Sequence, residues 1–220
     1  MDIFLGLNLW DIFMNLDVYL SNLINNYGSI AFLIIFLIVF CETGLVVTPF
    51  LPGDSMIFIL GALGASGQIN LLGIGSVIIA AAILGNMLNY QIGRFVGPRV
   101  FERENNRFFK QEHLLRTHAF FEKHGGKTIV LARFIPIIRT FAPFVAGIGQ
   151  MEYGRFSMYN IIGSVSWVLA CLAAGYLFGN IPVVEKNFTL IIVAIIIISL
   201  VPAIVITLRQ KTVTQNQTSD

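Results

Sequence analysis

Four charged residues stand inside otherwise apolar stretches: Glu42, Asp54, Arg133 and Arg139. An ionised Arg or Asp at the centre of a membrane helix costs about 2.5–3.5 kcal/mol, so four unpaired ones would cost on the order of 10 kcal/mol. Such charges persist only if they face a polar cavity, pair with one another or bind something. Arg133 and Arg139 lie six residues apart across Pro136, a spacing that lets two guanidinium forks converge on one anion. Guanidinium is always charged and binds in two-pronged fashion, which suits phosphate. Ionised Glu42 and Asp54 would repel that phosphate, but a buried carboxylate is a natural proton carrier and can also take sodium. The pattern therefore predicts a phosphate-bearing headgroup on Arg133 and Arg139, with a coupling proton or sodium ion handled by Glu42 and Asp54. The plainer alternative is a set of buried salt bridges that lock segments of the chain together.

The composition says what kind of elements must position these residues. The chain has 220 residues, 56% hydrophobic and 12% charged, with a mean hydropathy of +0.79. Soluble domains carry about 25% charged residues, so there is too little polar side chain here to cover a soluble globule. Most soluble enzymes, nucleic-acid binders and disordered proteins are excluded, and a multi-pass helical membrane protein is predicted. A β-barrel is disfavoured because runs such as Ile191 to Ile198 do not alternate. Met1 to Trp10 has no basic region and no small-residue cleavage site, so no cleaved signal peptide is predicted.

Residues 1–26 read as an N-terminal amphipathic helix at the interface, with Leu9, Phe13, Leu16, Leu20 and Leu23 opposite Asn8, Asp11, Asn15 and Asn22. Residues 27–208 form the membrane domain. Its first part, 28–67, holds two short apolar arms around Pro49, Pro52 and Gly53, a pattern that describes a re-entrant helical hairpin. A span follows at 69–93. Residues 94–127 form a basic interfacial segment, and 128–151 a second hairpin around Pro136 and Pro143. Spans at 156–178 and 188–208 complete the domain, and 209–220 is a polar tail. The prolines and Gly53 mark the hairpin tips, where a gate would lie.

Residues 1–93 contain five acids and no Lys or Arg, whereas 94–127 contain eight bases and four acids. The positive-inside rule puts 94–127 in the cytoplasm, and Arg209 and Lys211 place the C-terminus there too. The side of the N-terminus stays open. The two halves share an order: hairpin, long span, then Tyr-x-x-Gly at Tyr90 to Gly93 and Tyr176 to Gly179. The fold class expected is therefore all-α integral membrane, an inverted repeat of two re-entrant hairpins each followed by transmembrane helices. Such broken-helix repeats are an architecture of secondary transporters.

Other reactive side chains read as structural. Cys41 and Cys171 sit in apolar runs and read as small core residues. His113, His118 and His124 are five and six residues apart, which does not align them on one helix face. No metal site is predicted. Ser55, Thr43 and Thr140 have no adjacent His base, so no catalytic residue and no enzyme activity are predicted. Gly93-x-x-x-Gly97 and Gly175-x-x-x-Gly179 read as helix-packing patterns. Asn86, Asn89 and Asn160 either line a cavity or bond between helices.

The run Phe40-Cys-Glu-Thr-Gly-Leu-Val-Val-Thr-Pro-Phe-Leu-Pro-Gly-Asp54-Ser55 resembles the first signature of the DedA family. The run from Phe121 through Arg133, Pro136, Arg139 and Pro143 to Gly147 resembles the second. Phe156, Asn160, Gly163, Trp167, Gly175-Tyr176 and Gly179 match a later pattern, and the likeness covers roughly residues 27–208. The resemblance implies a bacterial inner-membrane protein, in a superfamily that also holds eukaryotic autophagy-associated lipid scramblases. Bacterial relatives are implicated in undecaprenyl phosphate recycling, phospholipid translocation, proton-motive-force maintenance and envelope integrity. The family's essential acids fall on Glu42 and Asp54 and its essential arginines on Arg133 and Arg139. The function expected is a flippase- or scramblase-like transporter of a phosphate-bearing lipid, polyprenyl phosphate or phospholipid, with a proton or sodium as coupling ion and no other cofactor. The expected partners are that lipid and the bilayer, with homo-oligomerisation left open and no nucleic acid. The rival readings are a proton-coupled antiporter without a lipid substrate and a non-transporting assembly factor.

Overall fold

The computed structural model describes residues 16–45, 53–101, 126–179 and 181, and every element among them is a helix. In chain order they are α1 Leu16–Tyr27, α2 Ser29–Gly44, α3 Gly53–Ala65, α4 Leu71–Phe101, α5 at residues 126–132, α6 Pro136–Ile148 and α7 Tyr153–Phe178. Two stretches are long and apolar enough to cross a bilayer, Leu71–Gly97 with 27 residues and Tyr153–Phe178 with 26. The others fall short. With 13 residues each, α3 and α6 are about 20 Å long, against a hydrocarbon core of about 30 Å. Large apolar side chains face outward on the long helices, among them Leu72, Leu84 and Leu88 on α4 and Ile162, Leu169 and Leu177 on α7. That surface suits lipid rather than water.

The helix ends follow local chemistry. Asn70 caps α4, accepting from the Gly73 N–H through Oδ1 at 3.0 Å. Gly28, with φ +48°, turns the chain between α1 and α2, a conformation that L side chains rarely adopt. Two features differ from the sequence reading. The span expected at 69–93 continues as helix through Arg94 to Phe101. The reason is that arginine is a good helix former, so it ended the apolar run without ending the helix. The second hairpin was expected to turn at both Pro136 and Pro143. The break lies at residues 133–135, where three successive i→i−3 hydrogen bonds tighten the end of α5. Pro136 opens α6 and its predecessor Ile135 is extended (φ −117°, ψ 106°), as steric clash with a following proline ring requires. Pro143 sits inside α6 rather than at a tip. Its missing N–H withholds a donor from the carbonyl of Arg139. The expected tip residues Pro49 and Pro52, the span 188–208, the tail, the three histidines and most of the N-terminal and basic segments lie outside the described residues.

Glycines set the helix contacts. A Cβ on Gly175 would fall 1.9 Å from the Phe58 carbonyl oxygen, and one on Gly61 2.4 Å from that of Leu172. So α3 and α7 touch backbone to backbone. The α4–α6 crossing is built alike: a Cβ on Gly93 would fall 2.1 Å from the Phe144 oxygen, and one on Gly147 2.1 Å from the Tyr90 oxygen. Lipid gives helices no hydrophobic reason to associate, and close backbone approach supplies the dispersion contact instead.

Two apolar cores result. One gathers Ile35, Ile57, Leu60, Ile78 and Leu172. The other gathers Tyr90, Ile129, Ala146 and Phe156, with the Tyr90 ring stacked on Phe156 at 4.3 Å between centroids and its hydroxyl donating to the Met151 carbonyl. Along α4 the buried order is Ile78 and Ala82, then Asn86 and Asn89, then Tyr90. Along α7 it runs Phe156, then Asn160 and Ser164, then Trp167 and Val168. A buried polar band thus separates the cores near mid-length of both long helices.

A charged cluster between broken helices

The polar band is where the inner ends of the short helices meet. Glu42 lies in the last turn of α2 and Asp54 in the first turn of α3. Arg139 reaches both from the first turn of α6, its Nη2 on Glu42 Oε1 and its Nη1 on Asp54 Oδ1 at 2.5 Å. Glu42 is fully buried and Arg139 is 9% exposed. On α7, Trp167 touches both sides of this pair. Its indole N–H donates to Asp54 Oδ1 at 3.0 Å, while its ring lies 4.7 Å from the Arg139 guanidinium carbon. The first turn of α3 is fitted to the cluster: a Cβ on Gly53 would stand 1.7 Å from Glu42 Oε2. Only glycine lets the backbone lie against that carboxylate.

Arg133, on the tightened turn before Pro136, has different company. Its Nη2 donates to Asn160 Oδ1 at 2.7 Å, and it has no carboxylate partner among the described residues. Asn160 also accepts from Asn86 Nδ2 at 3.0 Å and donates to the Ile83 carbonyl at 3.1 Å. Gly163 makes room, since a Cβ there would lie 3.0 Å from Arg133 Cδ. The two guanidiniums repel one another across the site. The Nε–H groups of both are buried without an acceptor, unmet donors of the kind that calls for an explanation. Asn89 ties the long helix to the broken ones, spending both amide hydrogens on the carbonyls of Thr43, at 3.2 Å, and Thr140, at 2.8 Å.

The four charged residues singled out in the sequence therefore come together, but unequally. Arg139 is claimed by both acids, whereas Arg133 holds its charge against an amide. Of the tip residues, Gly53 lies against Glu42, Pro136 opens the helix that carries Arg139, and Pro143 sits one turn beyond Arg139 in that helix. The sequence alone does not mark Trp167 as a site residue, and it leaves the asparagines either cavity-lining or bonded between helices. An asparagine in mid-span was a usable signal, because an amide there must find a partner.

The chain matches the family model described as the VTT domain over residues 51–177. It is 51% identical over 204 residues to Protein DedA of Escherichia coli K12, covering 91% of this chain and 93% of that one. The chain belongs to the DedA family. An uncharacterised membrane protein of Mycobacterium tuberculosis is 45% identical over 181 residues, 81% of this chain and 79% of its own. The inner membrane protein YqjA of Escherichia coli is 32% identical over 155 residues, 70% of each. No solved structure matches. In this DedA-family membrane protein the matched region takes in Asp54, both arginines and Trp167, with Glu42 just before it.

Proposed function

We propose that this DedA-family protein carries a phosphate-bearing lipid across the bacterial inner membrane, polyprenyl phosphate or a phospholipid, coupled to protons or sodium. One observation carries the reading. A buried arginine without a carboxylate partner among the described residues, Arg133, stands near mid-length of two membrane-length helices. A bare guanidinium at that depth is expensive, and a passing phosphate would offset the cost. The unmet Nε–H donors of Arg133 and Arg139 would then find acceptors. Glu42 and Asp54 would handle the coupling ion.

The tail has a place to remain. Leu71, Gly75 and Ile79 of α4 and Leu169, Leu172 and Tyr176 of α7 line an apolar groove of about 490 Å³. Leu172 is about 7.5 Å along α7 from Trp167. Bringing the tail into water would cost about 0.8 kcal/mol per CH₂, so only the headgroup need cross through the polar band. The paired crossings support an inverted repeat of two hairpin halves: Gly93 with Gly147 does for α4 and α6 what Gly175 with Gly61 does for α7 and α3. This register sets Gly93-x-x-x-Gly97 against Gly175-x-x-x-Gly179, one turn from the Tyr-x-x-Gly alignment.

The competing reading is ion antiport with no lipid, and the pairing of Arg139 with both acids favours it. Liposomes holding the purified protein and a short-chain polyprenyl phosphate separate the two. Lipid phosphate should appear in the opposite leaflet with wild-type protein and not with Arg133→Ala. Proton or sodium flux that proceeds without lipid, and is unchanged in Arg133→Ala, would select the antiporter.

A further inference from the structure

Arg139 holds two carboxylates in the way it would hold a phosphate. Its forked nitrogens engage Glu42 Oε1 and Asp54 Oδ1, one oxygen from each acid. The described cluster contains two guanidiniums and two carboxylates and is neutral. Among the described residues, the other titratable side chain within electrostatic reach is Cys171, on α7; the long helix α4 contributes amides. An anion entering a neutral, buried cluster leaves one negative charge uncompensated, and an uncompensated charge at low dielectric neutralises by taking a proton. We propose that Glu42 and Asp54 stand in for the substrate on Arg139, that a lipid phosphate enters by exchange with them, one proton from water for each negative charge, and that Trp167 is the positioning residue through the exchange. Trp167 suits that role because it meets the two partners through different parts of one side chain: the indole N–H donates to Asp54 and the ring face lies under Arg139. The charge balance is simple. A phosphodiester with one negative charge converts one carboxylate to its acid, and a doubly charged monoester converts both.

This rests on the phosphate reading above and deepens it. The chain has two tryptophans, Trp10 and Trp167, so Trp10→Phe leaves a single fluorescent reporter inside the cluster. The full chain with that substitution would be titrated in detergent with dioctyl phosphate, a phosphodiester whose charge is constant around neutral pH. Emission and proton uptake would be followed together, the latter with an indicator in weak buffer. The expected result is a saturable change in Trp167 emission with about one proton taken up per bound phosphodiester. Glu42→Gln or Asp54→Asn should bind without uptake and about tenfold more tightly, because one charge is already removed. Trp167→Phe keeps a ring face and loses the donor. Its binding, followed by equilibrium dialysis, should extend to higher pH, whereas a purely structural loss would weaken binding equally at every pH. Binding to the Trp10→Phe protein without proton uptake, or uptake in the two neutralised variants undiminished from it, would overturn the exchange and leave the phosphate reading standing. Absence of binding by emission and by dialysis would overturn both.

Discussion

Arg133 and Arg139 have the same side chain, six residues apart, and opposite energetic positions. Arg139 compensates two buried carboxylates. Removing one partner of a buried pair costs about 3–5 kcal/mol, because the other charge is left behind. Arg133 compensates no carboxylate among the described residues, so its removal strands none. Thermal unfolding in detergent should therefore show Arg139→Gln clearly destabilised, with Arg133→Gln at or above the wild-type midpoint. Both should be inactive in lipid-phosphate transport. Equal destabilisation by the two would show that Arg133 also holds the fold together. Gly53 gives a second test at this scale. Gly53→Ala places a methyl where Glu42 Oε2 lies, 1.7 Å from the new carbon, so Glu42 must leave its place. Transport should fall by tenfold or more, while the α3–α7 crossing, built around Gly61 and Gly175, stays intact.

At the scale of elements, the protein is built from interruptions. Pro136 ends one helix and opens the next, which is why Arg133 sits on a turn and Arg139 on the first turn of α6. Pro143 lies within α6 and withholds a donor from the Arg139 carbonyl. Pro143→Ala restores that donor. Proline in a helix interior costs about 3 kcal/mol, so the variant should unfold at a higher temperature, yet it should transport more slowly because the Arg139 carbonyl is then tied into the helix. The long helices depend on close approach instead. Gly175→Leu or Gly147→Leu should lower the yield of folded protein, since each puts side-chain atoms on a backbone carbonyl. Size-exclusion chromatography of the solubilised protein would read that loss directly.

For the whole molecule, the question is depth. Leu84 and Ile162 are about half exposed and apolar, on α4 and α7 beside the polar band. Spin labels at these positions in liposomes should be relaxed by oxygen and not by a water-soluble nickel chelate. A label at Ser66, exposed in the turn between α3 and α4, should show the reverse trend. Strong nickel accessibility at positions 84 and 162 would place the polar band outside the bilayer and remove the reason for a bare arginine there. Because the two apolar cores flank the band, the charges are held by packing on both sides rather than by one hairpin alone.

The membrane class, the helical content and the identity of the four charged residues were legible in the sequence, since each depends on composition or on the cost of one charge in an apolar run. Short arms around 28–67 were legible for the same reason: apolar length is local. Where a helix ends was less so. Arg94 ended the apolar run without ending α4, because charge and helicity are separate properties. Who pairs with whom was decided only by the tertiary structure. Glu42 and Arg139 are 97 residues apart in the chain, and Asp54 and Trp167 are 113 apart. Two acids and two arginines allow several pairings that a sequence cannot rank. Steric fit of Gly61 on Gly175 and Gly93 on Gly147 set the helices at one spacing, and that spacing put both acids on Arg139 and left Arg133 to an asparagine.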